Sequence, residues 1–465
     1  MRSIRDDGPG DFLLGIDVGS TVVKAAVFDR RGRVVAQAER AVPVARPRPG
    51  WVERDAEATW VAAAGVVRRV VRGRAKSVTA IGITGCGNGA VLLDRRRRPL
   101  RAGILSSDSR AARQLAAPDP GRGQVPYAGQ LPWLVAWLRQ AEPAVARRLA
   151  HAVFWKDFVR ARLTDVVCTD FTDAGAAGLL AYPTRRWRRA DPVLPPLRSS
   201  LDPAGTVTPA AAAVTGLRAG TPVFTGCIDC EATALGSGVH APGEISMVAG
   251  TWSINQSYVV RPPRRPGHFL VNESVTPGRW LVLEGSPSSL ANFDWARRTL
   301  GGLGAAAATA VAARAPRSDL LFIPQVPTGR GAFVGLSPAH DRGALLRAVM
   351  EGIVFAHRAH VDRLLASVGR LQRVTLAGGA ARSRFWCQLF ADGLGCPVDV
   401  PRGPQLGALG AAICAGVGAG LWPSVPAAQN ALVPQKRIFT PDAARHAALS
   451  RDYERYQQQI QTLLS

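Results

Sequence analysis

Two short stretches hold the residue types best suited to phosphate chemistry. In Gly15-Ile16-Asp17-Val18-Gly19-Ser20-Thr21 an apolar run ends in a Gly-Ser-Thr turn. Glycine lets backbone approach a phosphate closely, and turn amides join the Ser20 and Thr21 hydroxyls as donors. Asp17, aimed into the same space, can hold a hydrated Mg²⁺, whose usual ligands are carboxylate, water and phosphate oxygens. Lys24 lies further along the outgoing run. A plain hairpin turn with a solvated Asp17 explains these residues equally well. Recurrence favours phosphate binding: Glu244 to Gln256 repeats the pattern around Gly250-Thr251, and a nucleotide in a cleft needs a phosphate loop from each wall. A third segment, Leu376 to Ser383, ends in the pair Gly378-Gly379, where a flat ring can lie against backbone beside helix-end amides.

Other candidates are single residues. Asp229, in Cys227-Ile228-Asp229-Cys230, precedes a helical run and reads either as a catalytic carboxylate or as a helix N-cap, and a carboxylate there stays ionised. Gly85-Cys86-Gly87-Asn88-Gly89 has the wrong glycine spacing for a dinucleotide loop, and strand-like residues 90–93 follow. It reads as a substrate-facing turn with Asn88 bonding hydroxyls, or as a plain β-turn. Asp108 and Arg110 bind hydroxyls or form an ordinary ion pair. The C-x-x-C spacing at Cys227 and Cys230 has no second pair, so zinc or redox chemistry is not supported. His357 and His360 lack a third ligand.

These residues need elements to position them. Phe12 to Asp29 reads as a β-hairpin, with a third strand over 34–38. A helix over 56–71 and a buried strand over 78–84 complete an α/β unit. The grammar returns at 244–256, with a partner strand at 280–284, a helix over 342–365, a strand over 373–377 and a helix over 384–394. Residues 407–421 read as a tightly packed internal helix rather than a membrane span. Two halves that each open on a strand–glycine–strand hairpin suggest a duplicated architecture joined near 236–243.

The 465 residues are 47% hydrophobic and 20% charged, which excludes wholesale disorder. The net charge is +24, but of 58 basic residues only four are lysines, leaving 54 arginines. That ratio, with abundant Ala and Gly, fits codon bias better than a phosphate footprint, so nucleic-acid binding is not expected. The arginine clusters at 95–98, 185–189 and 264–265 read as solvated loops. Seven scattered cysteines and a polar Met1 to Gly10 point to a reducing cytoplasm without a leader, and no membrane association is expected.

Together these segments resemble the sugar-kinase, heat-shock-protein and actin superfamily: two phosphate motifs at Gly15 to Lys24 and Gly250-Thr251, and an adenosine motif at Gly378-Gly379. Within it, Gly50 to Asp55 (GWVERD), Ile104 to Arg110 (ILSSDSR), Lys156 to Asp173, Thr225 to Gly238 and Glu351 to Phe355 are similar to FGGY carbohydrate kinases, in family order from about Phe12 to Trp422. The resemblance implies an α/β fold of two actin-like (ribonuclease H-like) domains with a central cleft. Residues 11–238 would bind sugar and carry the first phosphate hairpin, 239–430 would bind ATP, and 431–465 would form a helical tail. It also implies ATP-dependent, Mg²⁺-requiring phosphorylation of a terminal hydroxyl of a short sugar. Asp229 would accept the proton, Asp17 and Asp229 would face the metal, and Gly19, Ser20, Thr21, Lys24, Gly250, Thr251, Gly378, Gly379 and Ser383 would hold the nucleotide. Gly87, Asn88, Asp108, Arg110 and Asp229 would face the sugar. Glu284 to Trp295 and Ser106-Ser107-Asp108 look most similar to L-xylulose kinases. D-xylulose kinases usually carry Met-His, and glycerol kinases Arg-Glu, where Gly87-Asn88 stands. L-xylulose is therefore the expected substrate; a tetritol, tetrulose or D-xylulose kinase and a non-catalytic sugar sensor are the alternatives. Sugar and ATP are the expected partners, with a homodimer left open.

Overall fold

The computed structural model describes residues 12–115, 126–181, 184–263, 269–403, 405–433 and 435–464. Met1 to Gly10 and Arg264-Arg265 lie outside them. The chain forms two compact units.

The first unit opens with β1 (Phe12–Val18), β2 (Val22–Phe28) and β3 (Val34–Ala41), an antiparallel meander. Every apolar side chain of β1 is buried, as expected of a strand covered on both faces. Helix α1 (Ala56–Val71) starts where Asp55 accepts a hydrogen bond from Ala58 N, and it leads into β4 (Val78–Gly85), parallel to β1. Helices α2 (Trp155–Thr164) and α3 (Phe171–Ala176) follow, then β5 (Pro203–Thr206), β6 (Pro222–Phe224), β7 (Cys227–Ile228) and α4 (Asp229–Gly236). The sheet order is β5-β6-β4-β1-β2-β3, with β7 also paired to β4.

The second unit repeats that order. The hairpin β8 (Glu244–Ala249) and β9 (Ser253–Val259) is flanked by β10 (Trp280–Ser286) on one side. Helices α5 (Leu290–Thr299) and α6 (Arg342–Val368) precede β11 (Arg373–Gly378), which runs parallel to β8 as β4 runs parallel to β1. Helix α7 (Arg384–Leu394) leads to β12 (Val398–Pro401).

Two features depart from the sequence reading. Helix α8 (Leu406–Gly418) belongs to the first unit although it comes late in the chain; residues 260–281 and 403–434 both cluster there, so the units are not contiguous segments. The reason is close packing. A Cβ on Gly15 would lie 1.9 Å from the Ala408 carbonyl oxygen, and one on Gly82 1.8 Å from that of Ala411. Gly410 and Gly236 make equally close approaches between α8 and α4. Backbone meets backbone at this seam, and only glycine permits it. The expected helical tail is likewise preceded by a strand: β13 (Lys436–Phe439) pairs antiparallel with β12 before α9 (Ala443–Leu464) begins. Among the described residues no helix is long and apolar enough to cross a membrane.

Candidate active site

In the first unit the β1–β2 turn carries Gly19, Ser20 and Thr21, with both hydroxyl residues exposed. Asp17 and Lys24 stand directly opposite one another in the ladder. A Cβ on Gly407, in the first turn of α8, would lie 2.9 Å from Asp17 Oδ2, so this helix start borders the carboxylate. Burial raises the Asp17 pKa and Lys24 pulls it back.

Asp229 is delivered by β7. Thr84 Oγ1 donates to the Cys227 carbonyl at 2.7 Å, and Ile228 N donates to Thr172 Oγ1 at 2.9 Å, tying the approach strand to β4 and α3. Ile228 occupies the cap position, and Asp229 is the first helical residue of α4. The expected N-cap role is therefore corrected by one residue; the carboxylate still sits in the first turn. Asp229 is half-buried. Burial first and the Asp17 charge second push its pKa up to about 7, against backbone N–H bonds that pull it down. A carboxylate poised near neutrality can accept a proton and release it again.

Asn88 lies in the turn that follows β4. Its φ is 60°, a left-handed conformation uncommon outside glycine, which fits a residue held for a purpose. Nδ2 donates to the Ala176 carbonyl at 3.4 Å, while Oδ1 is buried with no partner among the described residues. Gly87 is crowded: a Cβ there would lie 2.2 Å from Ile228 Cδ1. The sequence reading missed Tyr127. Burial raises its phenol pKa, and it feels a hydrogen bond from Asn88 and the charge of Asp229. Only a residue pattern spanning 39 positions links it to Asn88, and no local motif marks it.

Arg54 was also missed. Its guanidinium stacks 3.9 Å above Trp155 and donates to the Gly19 carbonyl at 2.5 Å and the Ser20 carbonyl at 3.0 Å. It ties the back of the β1–β2 turn to the body of the unit.

Asp108 and Arg110 form a buried network. Asp108 Oδ2 accepts from Val52 N at 2.5 Å and from Arg110 Nη2 at 2.8 Å, and Oδ1 accepts from Arg110 Nε at 2.9 Å. Arg110 also pairs with Glu53 and lies 3.7 Å above Trp51. Of the two side chains, only Arg110 Nη1 is left without a partner among the described residues.

In the second unit, Gly250 and Thr251 form the β8–β9 turn, with Thr251 exposed. The Gly250 carbonyl accepts from Leu290 N at 2.8 Å, and the Thr251 carbonyl from Ala291 N at 3.4 Å. Gly378 ends β11 at φ 88°, where a Cβ would lie 2.5 Å from the Ala249 carbonyl oxygen. Gly379 follows, exposed, with Leu290 beside it. Ser383 caps α7 by accepting from Trp386 N.

Cys227 and Cys414 bring their sulfurs within 3.8 Å, buried between β7 and α8, as small packing residues. None of the seven cysteines forms a disulfide.

The model of the N-terminal domain of the FGGY family of carbohydrate kinases matches residues 12–236, and that of the C-terminal domain matches 245–419. The chain is 29% identical over 483 residues to "L-xylulose/3-keto-L-gulonate kinase" of Escherichia coli (strain K12), covering 97% of each chain. It is 30% identical to "Probable L-xylulose kinase" of Pasteurella multocida (strain Pm70), over 96% of this chain and 98% of that one. Its fold superposes on the crystal structure of xylulose kinase from Rhodospirillum rubrum with a TM-score of 0.88 at 28% identity, covering 97% of this chain and 99% of that one.

Proposed function

The chain belongs to the FGGY family of carbohydrate kinases, which phosphorylate sugars from ATP, and we propose that its acceptor is a terminal hydroxyl of a ketopentose, L-xylulose first. The observation that carries this reading is Asp229: half-buried, next to Asp17, with a pKa near 7. A sensor that only binds sugar has no need of a carboxylate so placed. Phosphoryl transfer asks mainly for orientation of the nucleophile and stabilisation of phosphate charge, and Asp229 supplies the first by accepting the hydroxyl proton. Asn88 Oδ1, buried without a partner among the described residues, is satisfied by a second sugar hydroxyl, because buried acceptors require a donor. Tyr127 supports Asn88 in that role.

Ser20 and Thr21 in the first unit, and Gly250-Thr251 in the second, are each the residues we assign to phosphate binding, and Gly378-Gly379 those we assign to adenosine. Two half-buried carboxylates, one raising the pKa of the other, fit a divalent cation. Asp17 and Asp229 would hold Mg²⁺, which when bound neutralises phosphate charge. Among the described residues no cluster of three or more His, Cys, Asp or Glu side chains could hold a metal by itself. That agrees with Mg²⁺ sites built from one or two carboxylates, water and substrate phosphates. Seven cysteines without a disulfide suit a reducing compartment, and we assign the protein to the cytoplasm.

A panel of ketopentoses, tetruloses, polyols and glycerol, assayed for ATP consumption, tests the substrate. L-Xylulose should give the highest kcat/KM. Glycerol in first place would overturn the assignment.

A further inference from the structure

The second unit contains a buried polar chain that the phosphotransfer chemistry does not use directly. His357 and His360, one turn apart on α6, flank Asn255 on β9. His357 Nδ1 lies 3.0 Å from Asn255 Oδ1, and Asn255 Nδ2 lies 2.9 Å from His360 Nδ1. As an amide oxygen only accepts and an amide NH₂ only donates, His357 carries its proton on Nδ1 and His360 on Nε2. Each ring then has one nitrogen for a further partner. His357 Nε2 accepts from Ser289 Oγ at 3.1 Å, and His360 Nε2 faces Ser286 Oγ at 3.3 Å. The run ends at Glu284, which pairs with Arg363. Both imidazoles are buried, and burial holds them neutral, with His360 pushed down to about 3.

Ser289 is the informative member. It occupies the N-cap position of α5, where serine ordinarily accepts from the helix's own amides, yet its hydroxyl makes no cap hydrogen bond. His357 takes that hydroxyl instead. The Ala291 amide, which a serine cap ordinarily takes, is spent on the Thr251 carbonyl instead, beside the bond from Leu290 N to the Gly250 carbonyl. A cap hydrogen bond to the serine would take the amide of the second or third helical residue and leave the first one free.

We propose that His357 is a positioning residue for the Gly250-Thr251 turn: by holding Ser289 away from its own helix, it leaves the Ala291 amide to fix the Thr251 carbonyl. This rests on the reading that Gly250-Thr251 meets ATP. His357 itself touches neither nucleotide nor sugar; it acts through Ser289 and α5.

The test compares variants of the full chain. His357→Phe keeps the ring's bulk but removes its acceptor, and should raise KM for ATP about tenfold while KM for the sugar stays within twofold. Ser289→Ala removes the hydroxyl that would compete for the α5 amide, so by itself it should leave KM for ATP within about twofold of the wild type; His357→Leu, which also frees Ser289, should raise it as His357→Phe does and keeps the proposal testable if His357→Phe does not fold. The double variant His357→Phe/Ser289→Ala should return KM for ATP to near the wild-type value, because without the hydroxyl nothing competes for the α5 amide once His357 is gone; a double variant as impaired as His357→Phe would overturn the proposal. His357→Gln, which can present both a donor and an acceptor, should recover most of the affinity. Thr251→Val is the control. If it raises KM for ATP while His357→Phe does not, the positioning role fails and the phosphate reading stands. If Thr251→Val also leaves KM for ATP unchanged, both fall. Variants that lower the melting temperature and change both KM values in parallel would mark the chain as mere core structure, which also overturns the proposal.

Discussion

The β1–β2 and β8–β9 hairpins occupy the same place in two sheets of the same order, yet they are chemically unlike. One rung in from the turn, the first hairpin pairs Asp17 with Lys24, whereas the second pairs Val248 with Ile254. The first therefore brings charge to its turn, and the second brings only backbone and the Thr251 hydroxyl. The supports differ too. Arg54, a buried guanidinium on a tryptophan, holds the Gly19 and Ser20 carbonyls, while helix amides hold those of Gly250 and Thr251. Repetition of a fold thus preserves a backbone device while leaving the side chains free to divide the labour. Acid chemistry is confined to the first unit, where α4 brings Asp229 within the field of Asp17.

The sharpest test of that division is Asp229→Asn. It keeps the side chain's size and removes its capacity to take a proton, and general-base assistance is typically worth about 10²–10⁴ in rate. We expect kcat to fall by that factor with sugar binding by calorimetry little changed, and folding to survive because Asn tolerates a helix start. Near wild-type turnover would move the acid elsewhere.

Thr251→Val asks whether the uncharged hairpin contacts phosphate at all. A hydrogen bond to a charged group contributes about 1.5–3 kcal/mol, so KM for ATP should rise by about ten- to a hundredfold. Steady-state kinetics with saturating sugar would show it, and unchanged ATP constants would remove Thr251 from the site.

Asp17→Asn probes the coupling between the two carboxylates. The Asp17 charge raises the Asp229 pKa, so its removal favours the ionised form of Asp229. Activity that requires ionised Asp229 rises with pH through about 7 in the wild type. In the variant the acid limb of the kcat profile should move to lower pH, whatever the drop in the plateau. A limb that stays in place would mean that another group titrates there.

The smallest effect is expected from Ser383→Ala at the adenosine end. Loss of a cap costs about 1 kcal/mol of stability. If Ser383 also touches the nucleotide, KM for ATP rises along with the fall in melting temperature; if it is a cap alone, only the latter moves.

Much of this molecule is legible along the chain, for local reasons. The hairpin at Gly15 to Lys24 announces itself because a β-turn needs particular residues within four positions. Helix α1 over 56–71 and α7 over 384–394 stand at the expected bounds, since capping Asp55 and Ser383 mark their starts in sequence. The Gly-Ser-Thr and Gly-Thr turns and the position of Asp229 at a helix start could be read from the sequence because each is a contiguous segment. Other features depend on which surfaces meet. The seam in which Gly15 and Gly82 receive α8 joins segments more than 300 residues apart, and glycine in a helix carries no mark of the backbone it will touch. Arg54 and Tyr127 look like any arginine and tyrosine until folding sets one behind Gly19 and the other beside Asn88. The pKa of Asp229 follows the same rule: residue type provides a carboxylate, but only burial and the approach of Asp17 lift it towards neutrality, because desolvation and Coulomb repulsion depend on distance in space and not along the chain.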